Sequence, residues 1–169
     1  LISDVLDEVE ARNPLAIGLN IVFERQTESL KDEALFNRLR SIDVPLIVSS
    51  ASGPAGFSPR QVNFSNKYLS GLKTSLSIIY QDSIDQVVRS SILKEPLNGD
   101  IYLGFAAALA AELGIPLPEE NEIIIDYRAG FMPGESPFEV YSASQLPALP
   151  PSALESRIVL IGAHLDGAR

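Results

Sequence analysis

The only histidine of the chain, His164, stands two residues before Asp166 at the end of a strand-like run, and a carboxylate beside an imidazole can orient a general base. In open α/β sheets ligand groups gather at strand ends, which is where this pair falls. A base still needs a nucleophile or a metal, and a metal needs further ligands, so the enzymatic reading requires Asp126 to meet His164 and Asp166 in one cleft. The alternative is a solvent-facing turn histidine. Glu119, Glu120, Glu122 and Asp126 form an acidic group whose oxygens suit a hard cation, and period-two spacing puts Glu122 and Asp126 on one strand face. The spacing of a calcium loop is missing, which favours a solvated strand entry over a metal site. With zero cysteines there are no disulfides or thiolate ligands. No catalytic residue, metal or cofactor is expected.

Three further residues are candidates for binding. Asn20 is polar within the apolar run AIGLNIVF, where an amide either faces a ligand or satisfies a neighbouring backbone group. Arg89 and Arg128 each close a strand-like run, and a guanidinium there can clamp a carboxylate or phosphate or join a structural ion pair with one of the 22 acidic residues. The nucleophile elbow G-x-S-x-G, the phosphate loop G-x-x-x-x-G-K-[ST] and the dinucleotide turn G-x-G-x-x-G are all absent. The candidate ligand set is Asn20, Arg89, Arg128, His164 and Asp166.

These residues need elements to hold them. Leu1, Ile2, Val5, Leu6 and Val9 recur at helical spacing until Asn13-Pro14 stops the helix near Arg12. Ala16 to Phe23 is apolar on both faces, as in a strand covered on two sides. A helix follows from Ser29 to about Ser41, with Asp32 and Glu33 in its first turn. Val44 to Ser49 is a second buried strand, and SASGPAGFSP after it reads as loop. Helix between apolar strands implies a parallel crossover. Ser75 to Tyr80 and Gln86 to Leu93 are spaced as an antiparallel hairpin. Ile101 to Leu113 reads as a buried helix ended by Gly114 and Pro116. Glu122 to Arg128 and Arg157 to Ala163 read as interior strands, separated by a Pro-rich connection with one short helix at Tyr141 to Leu146, capped by Ser142.

At 169 residues, 46% apolar and 21% charged, the chain fits one domain with a substantial core. Its net charge of -9 has the wrong sign for nucleic acid or anionic lipid. No run approaches the roughly 18 consecutive apolar residues that cross a bilayer. The start at Leu1 within a helical pattern and the stop at Arg169 after a strand fit a piece cut from a longer protein.

In order, the helix before Asn13-Pro14 with AIGLNIVF, the D-x-x-x-x-V-V-R pattern from Asp82 to Arg89, EIIIDYR, FEVYSASQL and RIVLIGA resemble the second type of CHASE domain over most of the chain. The resemblance implies an extracytoplasmic sensor domain of a bacterial receptor, set after one membrane helix and before several others, with a cytoplasmic histidine kinase, adenylate cyclase or diguanylate cyclase output. It implies membrane contact only through flanking helices, a homodimer in the whole receptor, and no catalysis in this domain. The family commonly has aspartate where this chain has Asn20, and continues beyond the last strand with an aspartate and a Thr-Pro motif.

The expectation is therefore a single α/β domain over 1–169, with a mixed, mostly parallel sheet of about five or six strands flanked by three or four helices. Ala16 to Phe23, Val44 to Ser49, Glu122 to Arg128 and Arg157 to Ala163 should form its centre. The expected partner is a small-molecule or envelope-protein signal. The rival readings are an interaction module without a small ligand and, more distantly, a metal-dependent or acyl hydrolase.

Overall fold

The structure, a computed structural model, describes residues 1–76, 78–97, 99–128 and 137–162. In chain order the elements are α1 (Ile2–Glu10), β1 (Ala16–Asn20), α2 (Ser29–Arg40), β2 (Leu46–Ser50), α3 (Pro59–Tyr68), β3 (Thr74–Leu76), β4 (Ser90–Ile92), β5 (Lys94–Leu97), β6 (Asp100–Leu103), α4 (Phe105–Glu112), β7 (Glu122–Ile124) and β8 (Ile158–Gly162). Two 3-10 turns, Ala143–Ala148 and Pro151–Ala153, precede the last strand.

Four strands make the main sheet in the order β3-β2-β1-β8, and every pair is parallel. Short apolar strands alternating with helices produce this outcome, because a parallel partner is reached only by a crossover and both sheet faces are then covered. On one face Ile17, Leu19 and Val48 pack with Leu6 and Val9 of α1, Leu39 of α2, Leu69, Leu146 and Leu154. On the other face Ala16 and Ile47 pack with Ala108 and Leu109 of α4. The chain is α/β as its sequence indicated, with a parallel sheet and, among the described residues, four α-helices.

Several elements lie elsewhere than expected. Glu122 to Arg128 is not at the centre of the sheet: only Glu122–Ile124 is strand, paired antiparallel with β4 in a separate ribbon. Ile123 and Ile124 are 42% and 86% exposed there. A β-branched run signals strand geometry but not which partner it finds. Among the described residues the expected hairpin of 75–80 with 86–93 is not found either, since Thr74–Leu76 adds to the parallel sheet and Ser90–Ile92 pairs with β7. The expected helix from Ile101 begins only at Phe105, because 100–103 first closes a hairpin with β5 around Gly99, whose φ is +92°. At the other end of the sheet, β8 is an edge strand among the described residues.

α3 lies where the sequence reading extended no element beyond the Gly/Pro-rich loop. Ser58 and Gln61 cap it reciprocally, and Pro59 occupies its first turn. The S-P-x-Q spacing was the signal that could have found it.

Candidate polar site at the carboxyl edge of the sheet

Side chains alternate faces along a strand, and residues opposite each other in a parallel pair share a face. Ser75 lies opposite Ser49, and Asn20 lies opposite Gly162. Ser49 and Asn20 are joined by a 2.9 Å bond from the Ser49 hydroxyl to Asn20 Oδ1. Ser75, Ser49, Asn20 and Gly162 therefore form one row across all four strands, at their carboxyl ends, on the face that carries α4. Between β1 and β8 the strand order reverses direction, and ligands of open parallel sheets lodge outside the carboxyl ends at such a reversal. Asn20 is exposed there, and a Cβ built on Gly162 would meet nothing within 4 Å.

The opposite end of the row is enclosed. Ser49 is fully buried and Ser75 is 2% exposed, with no hydrogen-bond partner for its hydroxyl. α4 produces this burial. Gly104 bridges Leu76 in parallel, so the helix starts beside the carboxyl end of β3. The Lys73–Glu112 ion pair sets its far end near the start of that strand. The helix thus runs back across β1, β2 and β3. Gly18 lets it lie close: a Cβ there would come within 2.8–2.9 Å of Phe105, Leu109 and Leu160.

Behind the row, the run from Ser49 to Ser52 turns into a buried network of serines. Ser50 donates to the Ser75 carbonyl at 3.0 Å, and Ser65 on α3 accepts from the Ala51 N–H at 3.1 Å. The Ser52 hydroxyl is buried without a partner. The sequence places Ser49 at the end of a strand and S-A-S, Ser50 to Ser52, in the loop after it. A run of small hydroxyl residues directly after an apolar strand was the available signal that polar groups cluster at that strand's end. Among the described residues the row supplies hydrogen-bonding groups and no carboxylate, imidazole or amine, so what it offers a ligand there is hydrogen bonds.

Of the residues proposed from sequence, Asn20 is in this row. Arg89 is distant from it in the chain and is engaged locally, with a two-pronged contact to Asp85 at 2.6 and 2.8 Å and a third contact to Asp82 at 3.1 Å. The Arg89 hydrogen bonds hold Asp85 below the usual carboxylate range, and Asp85 in turn raises Arg89. Arg128 and Asp126 are exposed beyond β7. His164 and Asp166 lie outside the described residues, and with them the triad expected of a hydrolase. Glu122 accepts from the Ser90 hydroxyl at 3.0 Å, and Lys94 reaches the carbonyls of Pro118 and Glu119. Among the described residues no three acidic or histidine side chains gather as a metal-binding group.

A second concavity, of about 470 Å³, lies between α1 and the first 3-10 turn, bordered by Asp4, Asp7, Glu8, Val5, Leu146 and Pro147. Arg12 holds its two walls together. It is 8% exposed, and it donates to Glu8 on α1, to the Leu146 carbonyl at 2.7 Å and to the Leu149 carbonyl at 3.4 Å.

Among the described residues no helix is long and apolar enough to cross a membrane. The family model described as CHASE2 domain matches residues 1–169, the whole chain. No curated protein and no solved structure matches it.

Proposed function

The chain belongs to the CHASE2 domain family, a family of extracytoplasmic sensor domains found in receptors, and from that premise we propose that it senses a signal outside the cytoplasmic membrane of a bacterium and controls a cytoplasmic histidine kinase, adenylate cyclase or diguanylate cyclase. The observation that carries this reading is the family match over all 169 residues. The polar row at the strand reversal supports it, because it offers a ligand hydrogen bonds where open parallel sheets bind their ligands. In this reading the domain performs no chemistry. A ligand that prefers one of two arrangements shifts their populations, and a difference of about 1–3 kcal/mol is enough to alter the output through the membrane helices. Two receptors pair in the membrane and share the change.

The test is deletion of residues 1–169 from the full-length receptor, with output activity measured in membranes. Altered or signal-blind output is the expected result, and constitutive activity would identify the unliganded domain as inhibitory. Unchanged, fully regulated output would overturn the sensing role.

A second reading, docking of an envelope protein with no small ligand, is favoured by the exposed apolar side chains of the outer segments. Ile84 and Ile124 are 92% and 86% exposed, and Tyr127, Phe138 and Val140 are exposed as well. Thermal unfolding against a metabolite panel separates the two, since a ligand bound only by the native state raises the midpoint saturably.

A further inference from the structure

We propose that the carboxyl edge of the sheet beneath the first turn of α4 is a binding site for a small oxyanion, a carboxylate or a phosphate. This names a ligand class for the sensor proposed above and rests on that reading for its purpose, though not for its chemistry. The first N–H groups of a helix have no partner within the helix and carry its positive dipole end, which is why they take anions. Most helices cover them with a Ser, Thr, Asp or Asn side chain at the N-cap. α4 has no side-chain cap and no acidic residue in its first turn.

Steric exclusion enforces that openness. The N-cap is Gly104, and a Cβ built there would lie 2.0 Å from the Ile92 carbonyl oxygen. No capping side chain fits at this position; the Leu76–Gly104 bridge gives the Phe105 N–H the Leu76 carbonyl, and among the described residues the N–H groups of Ala106 and Ala107 are left to an external acceptor. α3 makes the contrast within the same fold, with its start closed by the Ser58–Gln61 capping box.

A second observation points to the same place. The Ser75 hydroxyl is on the face covered by α4, adjacent to the Leu76–Gly104 bridge, 2% exposed and without a hydrogen-bond partner. Leaving such a group unpaired disfavours the fold, and an oxyanion oxygen at this edge would accept its hydrogen bond. The neighbouring Ser49 hydroxyl is committed to Asn20, so the row donates at Ser75 and is braced at Asn20. Access is at the helix start itself, where Ala106 is exposed. Donors from a helix end and a hydroxyl, with no carboxylate in the first turn, select an anion over a cation or a neutral donor.

The 169-residue chain is titrated with inorganic phosphate and, separately, acetate, at ionic strength held constant with sodium chloride. Thermal unfolding and amide nuclear magnetic resonance shifts are recorded. The expected result is a saturable rise in Tm for at least one anion, about 5 °C at a hundredfold excess over Kd, with shifts centred on Ala106 and Ala107. The anion giving the larger saturable effect distinguishes phosphate from carboxylate. Ala106 is exposed, and A106E puts a carboxylate at the helix start, where it favours the helix but occupies the anion's place. This variant should fold and lose the response at least tenfold in affinity, while A106Q keeps it and S75A weakens it.

No response beyond chloride, shifts confined elsewhere, or an A106E variant that binds as the parent does would each overturn the site. Failure of binding in a chain that still regulates receptor output removes the oxyanion and leaves the sensor. Binding with an output indifferent to the domain removes the sensor and leaves the site.

Discussion

Tyr68 shows what a single side chain contributes to this fold. Its ring sits among Phe23, Phe36 and Phe64, at centroid distances of 5.3, 5.6 and 5.7 Å, and its hydroxyl donates to the Asp32 carbonyl at 2.7 Å. Burial, followed by the nearby Asp32 charge, pushes the phenol up to about 12. A folded-state value raised above the unfolded one near 10 favours the native state in full below about pH 10, and that contribution is lost as pH climbs toward 12. Spectrophotometric titration at about 295 nm should therefore show a late-ionising tyrosine that Y68F removes; persistence of the late phase would assign it elsewhere. Arg12 is the second case. R12A strands the Leu146 and Leu149 carbonyls and the Glu8 carboxylate, and should cost about 3 kcal/mol in urea unfolding, with R12K restoring only part. A loss below about 0.5 kcal/mol would mean that the 3-10 turn is held by other contacts. Asn20 stood out in the sequence because it interrupts an apolar run. Arg12 did not, because an arginine at the end of an amphipathic helix is ordinarily solvated.

At the scale of elements, α4 has the tightest fit. Its start is determined by Gly104, where any side chain strikes backbone, and its seat by Gly18, where a side chain would strike the movable ends of Phe105, Leu109 and Leu160. G104A should destabilise by about 3 kcal/mol or more, and G18A by less, because side-chain ends can shift and a carbonyl within a paired strand cannot. G53A, in open space, should stay within about 0.5 kcal/mol. Equal losses for G104A and G53A in urea unfolding would refute this account of how α4 is placed. The alanines were read correctly as a helix ended by Gly114. The helix start was misplaced by four residues because Ile101 to Leu103 are as apolar as helix residues, and only pairing with Lys94–Leu97 makes them strand.

Over the whole molecule, the buried pairs of β1 and β2 lie between two helical layers, while β4 and β7 pair at the exterior with three residues each. Amide hydrogen exchange should accordingly be slowest at Ile17, Leu19 and Val48, and faster by orders of magnitude at Ile123 and Ile124. Comparable protection in both sets would contradict a stability gradient from sheet to ribbon. The -9 charge weighs against association through extended acidic surface. In the second functional reading a partner would instead meet the exposed isoleucines and tyrosines of the ribbon side, where the Arg89 charge is offset by Asp82 and Asp85.

Sequence by itself determined the parts that rest on local chemistry. The helix-ending Asn13-Pro14, the two-sided apolar runs at Ala16 and Val44, the Ser142 cap and the ordered segments EIIIDYR, FEVYSASQL and RIVLIGA carried the fold class and the family. Only tertiary structure decided which strands pair, because period and β-branching describe one strand's faces and say nothing of its neighbour. It moved Glu122–Ile124 out of the sheet and put β8 beside β1. It also aligned Ser75, Ser49 and Asn20, which are spread over 56 positions of sequence, into one row beneath an uncapped helix. That alignment follows from parallel register, which is set by long-range packing and is invisible in any local window.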